Sequence, residues 1–189
     1  MTPTSLLQSS LEEHLQVVQA TLQSQLGAIE SAGVLIRDTL QQGHKVLICG
    51  NGGSAADAQH IAAELVGRYE RQRRAWPAIA LTTDTSTLTA ISNDYGYEEV
   101  FVRQVEALAI ADDVLLALST SGTSANVLKA VKKARELGCK TIALTGAAGE
   151  PLASLCDLAV VVPAARTARV QECHITIGHL WCELIDAEL

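Results

Sequence analysis

Apolar residues recur along the first forty positions at helical spacing: Leu7, Leu11, Leu15, Val18, Leu22 and Leu26. Every third or fourth position is apolar, which draws one stripe along a helix. Residues 4–42 are accordingly predicted to form two helices. Beyond them the pattern changes. Short, nearly unbroken apolar runs at 45–49, 78–81, 114–118, 141–144 and 158–162 alternate with longer mixed segments at 55–67, 97–108, 124–137 and 167–187. The short runs have the length and β-branched content of strands, and the mixed segments those of helices. Strands that are apolar without alternation are buried on both faces, as in a parallel sheet covered by helices. The expected fold is α/β, a three-layer α-β-α sandwich on a parallel five-stranded sheet. Crossovers are right-handed, and ligands bind at the carboxyl ends of the strands. No repeat or linker divides the chain, so residues 1–189 are expected to form one domain, with 1–42 a helical extension.

Composition narrows the class. Of 189 residues 48% are hydrophobic, which excludes disorder, but only 3% are aromatic, so the core must be built from Ala, Leu, Val and Ile. A net charge of −7 and a pI near 5.2 argue against a nucleic-acid surface. The one basic cluster, between Arg68 and Arg74, is interrupted by Tyr69, Glu70 and Gln72 and reads as a solvated face. Five cysteines lack CxxC spacing, which suggests reduced thiols in a cytosolic protein. The N-terminus has no secretory leader pattern, and no apolar run reaches membrane-spanning length, so a cytoplasmic protein without membrane attachment is expected.

Two turns carry the chemistry. Gly50-Asn51-Gly52-Gly53-Ser54 and Ser119-Thr120-Ser121-Gly122-Thr123-Ser124 each follow a predicted strand and precede a predicted helix. Small residues there leave backbone N–H groups free, and the helix N-terminus adds partial positive charge, which together form an anion socket. The hydroxyls of the second turn supply further donors for phosphate or sugar oxygens. Two such turns indicate a small phosphorylated or polyhydroxylated ligand. Gly50-x-Gly52-x-x-Ala55 also fits a dinucleotide fingerprint. No acidic residue closes a second strand about 20 residues on, however, and that site would not need the hydroxyl-rich loop.

His60 and Glu64 follow the first turn, four residues apart and so on one helix face. The last helix carries Gln171, Glu172, His174 and His179. An imidazole and a carboxylate one turn apart can share a divalent metal or act as a proton-transfer pair. Taken alone, His60 and Glu64 read more readily as a solvated surface pair, and the last-helix residues also fit an oligomer interface.

Taken together, Gly50 to Asp57, His60, Glu64, Asn93-Asp94-Tyr95-Gly96-Tyr97, the seryl turn through Asn126, and Gln171-Glu172-x-His174 resemble the sugar-isomerase (SIS) domain proteins, specifically their phosphoheptose isomerase branch. The resemblance runs over essentially the whole chain. The seryl turn marks the broad family; His60, Glu64, Gln171 and His179 narrow it to the heptose branch.

That resemblance implies a flavodoxin-like sheet and a homotetramer with active sites at subunit interfaces. It also implies one zinc ion per subunit, on His60, Glu64, Gln171 and His179. Sugar-phosphate contacts fall on Asn51, Gly52, Gly53, Ser54, Glu64, Asn93, Asp94, Ser119, Thr120, Ser121, Ser124 and Gln171. The implied reaction turns sedoheptulose 7-phosphate into a glycero-manno-heptose 7-phosphate. Aldose–ketose isomerisation needs a base to move a proton between C1 and C2 and an acid at the oxygens, roles that suit Glu64 and His179. Where some family members carry aspartate just before the Gln-Glu pair, this chain has Arg166-Thr167-Ala168-Arg169. The two arginines are expected to be surface residues at the helix start. The rival reading is a non-catalytic SIS protein of the replication-initiator-associated kind. A sugar-phosphate-sensing regulator would need a DNA-binding module for which these 189 residues leave no room.

Overall fold

The computed structural model describes residues 2–187; Met1 and the last two positions of the 1–189 reading lie outside them. Pro3–Gln41 form a single helix, α1, where two were expected. Thr2 caps it by accepting the Ser5 N–H, and Pro3 occupies the first turn, where its missing donor costs nothing. Gly33 does not break the helix. A Cβ there would lie 2.8 Å from Trp181 Cδ1, so the glycine serves close packing, and the Trp181 indole donates to the Ile29 carbonyl 2.8 Å away. The fully buried apolar residues of α1, Ile29, Ala32, Ile36 and Leu40, lie in its C-terminal half, with Val17 and Val18 half-buried against the same core; Leu7, Leu11, Leu15, Leu22 and Leu26 are exposed.

Five parallel strands follow: β1 (Val46–Cys49), β2 (Ala78–Ala80), β3 (Val114–Ser119), β4 (Lys140–Gly146) and β5 (Leu158–Val162). Their order, β2-β1-β3-β4-β5, is the flavodoxin-like one. Between them run α2 (Gly53–Val66), α3 (Thr85–Tyr95), α4 (Val102–Leu108), α5 (Ala125–Glu136) and α6 (Glu150–Ala153), and α7 (Thr167–Ala187) ends the fold. Successive strand residues feed opposite cores. Val46 and Ile48 pack with Ile36, Ile61, Ile177 and Trp181 of α1, α2 and α7, whereas Leu47 and Cys49 join Phe101, Val105, Val127 and Val131 on the other face.

Two helices were not anticipated. α6 is a single turn, and α3 buries none of its residues fully, only resting Leu88 and Ile91 half-buried on the core; its N-terminal signal is Asp84, which accepts the Thr87 N–H. The predicted helix over 97–108 is a 3₁₀ turn, Tyr97–Glu99, followed by the shorter α4.

The basic cluster is not simply a solvated face. The Arg73 side chain is 4% exposed, pairs with Asp186 at 2.8 Å and donates to the carbonyls of Glu64 and Leu65. Those carbonyls are orphan acceptors in the last turn of α2, so Arg73 caps that helix while Asp186 also accepts the N–H groups of Glu70 and Arg71. All five cysteines are free, four of them buried. No helix among the described residues is long and apolar enough to cross a membrane.

Candidate active site

β1 and β3 are neighbours in the sheet, and the chain leaves them in opposite directions across it. Their carboxyl ends therefore mark the switch point where a doubly wound sheet opens a crevice. The two glycine- and hydroxyl-rich turns stand there side by side. They line a pocket of about 260 Å³ that holds Asn51, Gly52, Gly53, Ser54, Ser119, Thr120, Ser121 and Ser124, together with Leu118, Thr167 and Gln171. No lining side chain is charged, so any anion here meets neutral donors and two helix N-termini. Gly52 and Ser124, the N-cap residues of α2 and α5, make no side-chain cap bond. The Ser119 hydroxyl instead lies 3.1 Å from that of Ser124 and accepts the Gly122 N–H. Gly122 has φ +67°, and a Cβ on it would come 2.5 Å from Gly149 Cα, so only glycine completes this turn.

α2 and α7 run together from the pocket. A Cβ on Gly53 would strike the Gln171 amide at 2.5 Å, and one on Gly178 would strike Ile61 at 2.7 Å. This close approach brings His60, Glu64 and His179 together. His60 Nε2 is 3.2 Å from Glu64 Oε1 and 3.2 Å from His179 Nε2, and one potential ligand atom from each residue lies within 4.8 Å of the others. Two imidazole nitrogens and a carboxylate oxygen converging from two helices suit a divalent metal such as zinc. The Tyr69 ring packs 5.6 Å from His179, centroid to centroid.

Gln171 lines the pocket rather than standing beside the trio. It lies about 12 Å from His179 along an ideal helix axis. Asn93 and Asp94, on α3, do not line the pocket either. Asn93 donates to Asp94 at 2.8 Å, and Asp94 borders a larger hollow of about 510 Å³ between β2, α3 and α4. That hollow contains none of the other site candidates.

Several residues named in the sequence only as part of a motif take on structural roles here. Asp57, one turn before His60, is half-buried with Oδ2 unpartnered; burial pushes its carboxyl up to about 6, against the opposing influence of His60. Its signal was its place three residues before His60 on the same face. Asn126 and Tyr97 both bond the Asn51 amide, and neither partnership has a local sequence signature. Arg169 is a correction. It is 7% exposed, pairs with Glu172 and donates to the Ser10 carbonyl, tying α7 to α1, whereas Arg166 is exposed and pairs with Glu13. His174 is wholly buried, and burial pushes its imidazole down to about 4.

Comparison with known proteins places the chain in a family. The family model of the SIS domain matches residues 11–146. A phosphoheptose isomerase from Aliarcobacter butzleri is 55% identical over 176 residues, 93% of each chain, and one from Aquifex aeolicus is 56% identical over 84% of this chain and 82% of its own. The solved phosphoheptose isomerase of Neisseria gonorrhoeae superposes with a TM-score of 0.94 at 45% identity, covering 98% of this chain and all of its own. That of Francisella tularensis gives 0.95 at 40%, covering 99% and 100%.

Proposed function

We propose, for a chain that belongs to the phosphoheptose isomerase family of SIS-domain proteins, that it converts sedoheptulose 7-phosphate to D-glycero-D-manno-heptose 7-phosphate through an enediol(ate). The step would take place in the cytoplasm and supply heptose for lipopolysaccharide core. The observation that carries the reading is the pairing of an uncharged anion pocket at the sheet's switch point with a His-Glu-His group two turns along the same two helices.

In this reading the phosphate sits among the hydroxyls and N–H groups of Ser119, Thr120, Ser121 and Ser124, with Gly52, Gly53 and Gln171 opposite. Neutral donors in a partly enclosed site grip a dianion, and that remote binding energy orients the sugar. His60 lies seven residues beyond Gly53, about 10 Å along α2, and an extended seven-carbon sugar phosphate spans a distance of that order. C1 and C2 can then stand at the trio. Glu64 takes a proton from C1, the C1–H electrons form the C1–C2 double bond, and His179 protonates the C2 oxygen. Loss of the O1 proton and return of a proton to C2 complete the aldose.

His60, Glu64 and His179 would hold zinc, with Gln171 as a fourth ligand where the assembled site brings it near. When bound, the ion supplies Lewis-acid polarisation of the substrate oxygens. A nitrogen that ligates an ion cannot carry a proton at the same time. The acid role of His179 and its ligand role at Nε2 are therefore alternatives at any instant.

A homotetramer with active sites at subunit interfaces accounts for two surfaces. The leucine stripe of α1 is exposed, and α3 rests Leu88 and Ile91 half-buried on its own core while Asn93 and Asp94 stay exposed. In this reading those two residues reach a neighbour's pocket. The test is NMR of the purified protein with sedoheptulose 7-phosphate, with and without chelator. Appearance of the C1 aldose signals is expected; binding of the ketose with no conversion under either condition would leave the non-catalytic SIS alternative standing.

A further inference from the structure

The Asn51 side chain ties the first anion turn to the start of α5, the helix that follows the second. Its Oδ1 accepts from Asn126 Nδ2 at 2.9 Å and from the Tyr97 hydroxyl at 2.9 Å, while its Nδ2 donates to Asn126 Oδ1, also at 2.9 Å. The Val127 N–H, 3.0 Å from Asn126 Oδ1, settles which end of the Asn126 amide is oxygen, because only an acceptor can face an N–H. The orientation of Asn126 then sets that of Asn51. Asn126 is buried at 3% exposure, so this reference point is rigid, whereas Tyr97 is exposed and adds one bond from the rim. With its oxygen doubly engaged and one N–H spent, Asn51, a residue of the pocket wall, has a single N–H left to offer. A carboxamide oxygen turned to the phosphate would repel it; an N–H attracts it.

We infer that Asn126 and Tyr97 are positioning residues that lock the Asn51 amide so that the pocket meets a donor and never an acceptor. This rests on the pocket being the phosphate site. Neither residue touches the reacting carbons in this arrangement, so their effect belongs to binding and should appear in KM rather than kcat.

The test is a double-mutant cycle on the isomerase reaction, with Ser124→Ala run alongside. Tyr97→Phe removes only the exposed hydroxyl and should raise KM about three- to five-fold, the weight of one hydrogen bond. Neither kcat nor the thermal midpoint should move. Asn126→Ala should raise KM further. In the Asn51→Ala background the effect of Tyr97→Phe should vanish, because the amide it steadies is gone. Should Asn126→Ala fail to fold, the Tyr97–Asn51 pair alone decides. If Ser124→Ala raises KM but Tyr97→Phe keeps its full effect without Asn51, or has none with it, the pocket stands and the positioning role is overturned. If Ser124→Ala leaves KM unchanged, the phosphate reading fails and the inference goes with it.

Discussion

His60 Nε2 stands 3.2 Å from His179 Nε2 although 119 residues separate them in the chain. Two neutral imidazoles can meet this way only if one carries the proton between them, whereas a cation lets both present lone pairs. Glu64 Oε1, also 3.2 Å from His60 Nε2, adds the negative charge that such a cation requires.

Metal binding follows from that contact. Zinc titrated into chelator-stripped protein should bind at about one ion per chain by calorimetry. His60→Ala should weaken it by at least about ten-fold. Equal affinity in the variant would place the metal elsewhere.

Glu64→Gln keeps the volume and one oxygen but loses the basic carboxylate. Turnover of sedoheptulose 7-phosphate should fall by at least roughly 10²-fold while binding persists. A coupled assay beside calorimetry separates the two, and substantial activity in the variant would move the base to another residue.

Ser119→Ala and Ser124→Ala should each weaken substrate binding by about 1–2 kcal/mol. Their hydroxyls bond one another at 3.1 Å, so the double variant should cost less than the sum of the singles. Strict additivity would show that the two hydroxyls act independently.

Acid stability should report His174. Burial lowers its imidazole from 6.5 to about 4, so between those values the unfolded chain holds a proton that the folded chain does not. Its contribution is fully present above about pH 6.5 and is lost progressively as the pH falls toward 4, by about 3 kcal/mol in all. Urea midpoints at pH 7.5 and 4.5 measure this, and His174→Leu should narrow the difference between them. A gap of unchanged size would acquit His174.

The exposed leucine stripe of α1 should hold copies of the chain together. Leu15→Glu combined with Leu22→Glu should lower the mass found by light scattering while leaving the helical circular dichroism largely intact, since both side chains are more than half exposed in the single chain. An unchanged mass would assign the assembly to another face.

What the sequence determined by itself is whatever depends on neighbours along the chain. Each strand is a short apolar run whose burial on both faces is written into its composition, and the span 158–162 was legible to the residue. The anion turns were legible for the same reason: a glycine or serine between strand and helix needs no distant partner to expose its N–H groups. α3 escaped notice because its apolar signal is only Leu88 and Ile91, half-buried against the core among hydroxyl and amide residues, and nothing local shows that α1 runs unbroken past Gly33, where Trp181 packs.

Tertiary structure alone decided which of these pieces meet. Pairing of β1 with β3 sets the two turns beside each other, and the approach of α2 to α7 across Gly53 and Gly178 joins His60 and Glu64 to His179. The same packing sends Gln171 to the pocket, puts Arg73 into a buried ion pair with Asp186, and buries the Arg169 side chain against α1 while its partner Glu172 stays partly exposed. Such contacts join positions far apart in the chain, and whether two helices approach closely enough to form them depends on the space left by residues that carry no chemistry of their own.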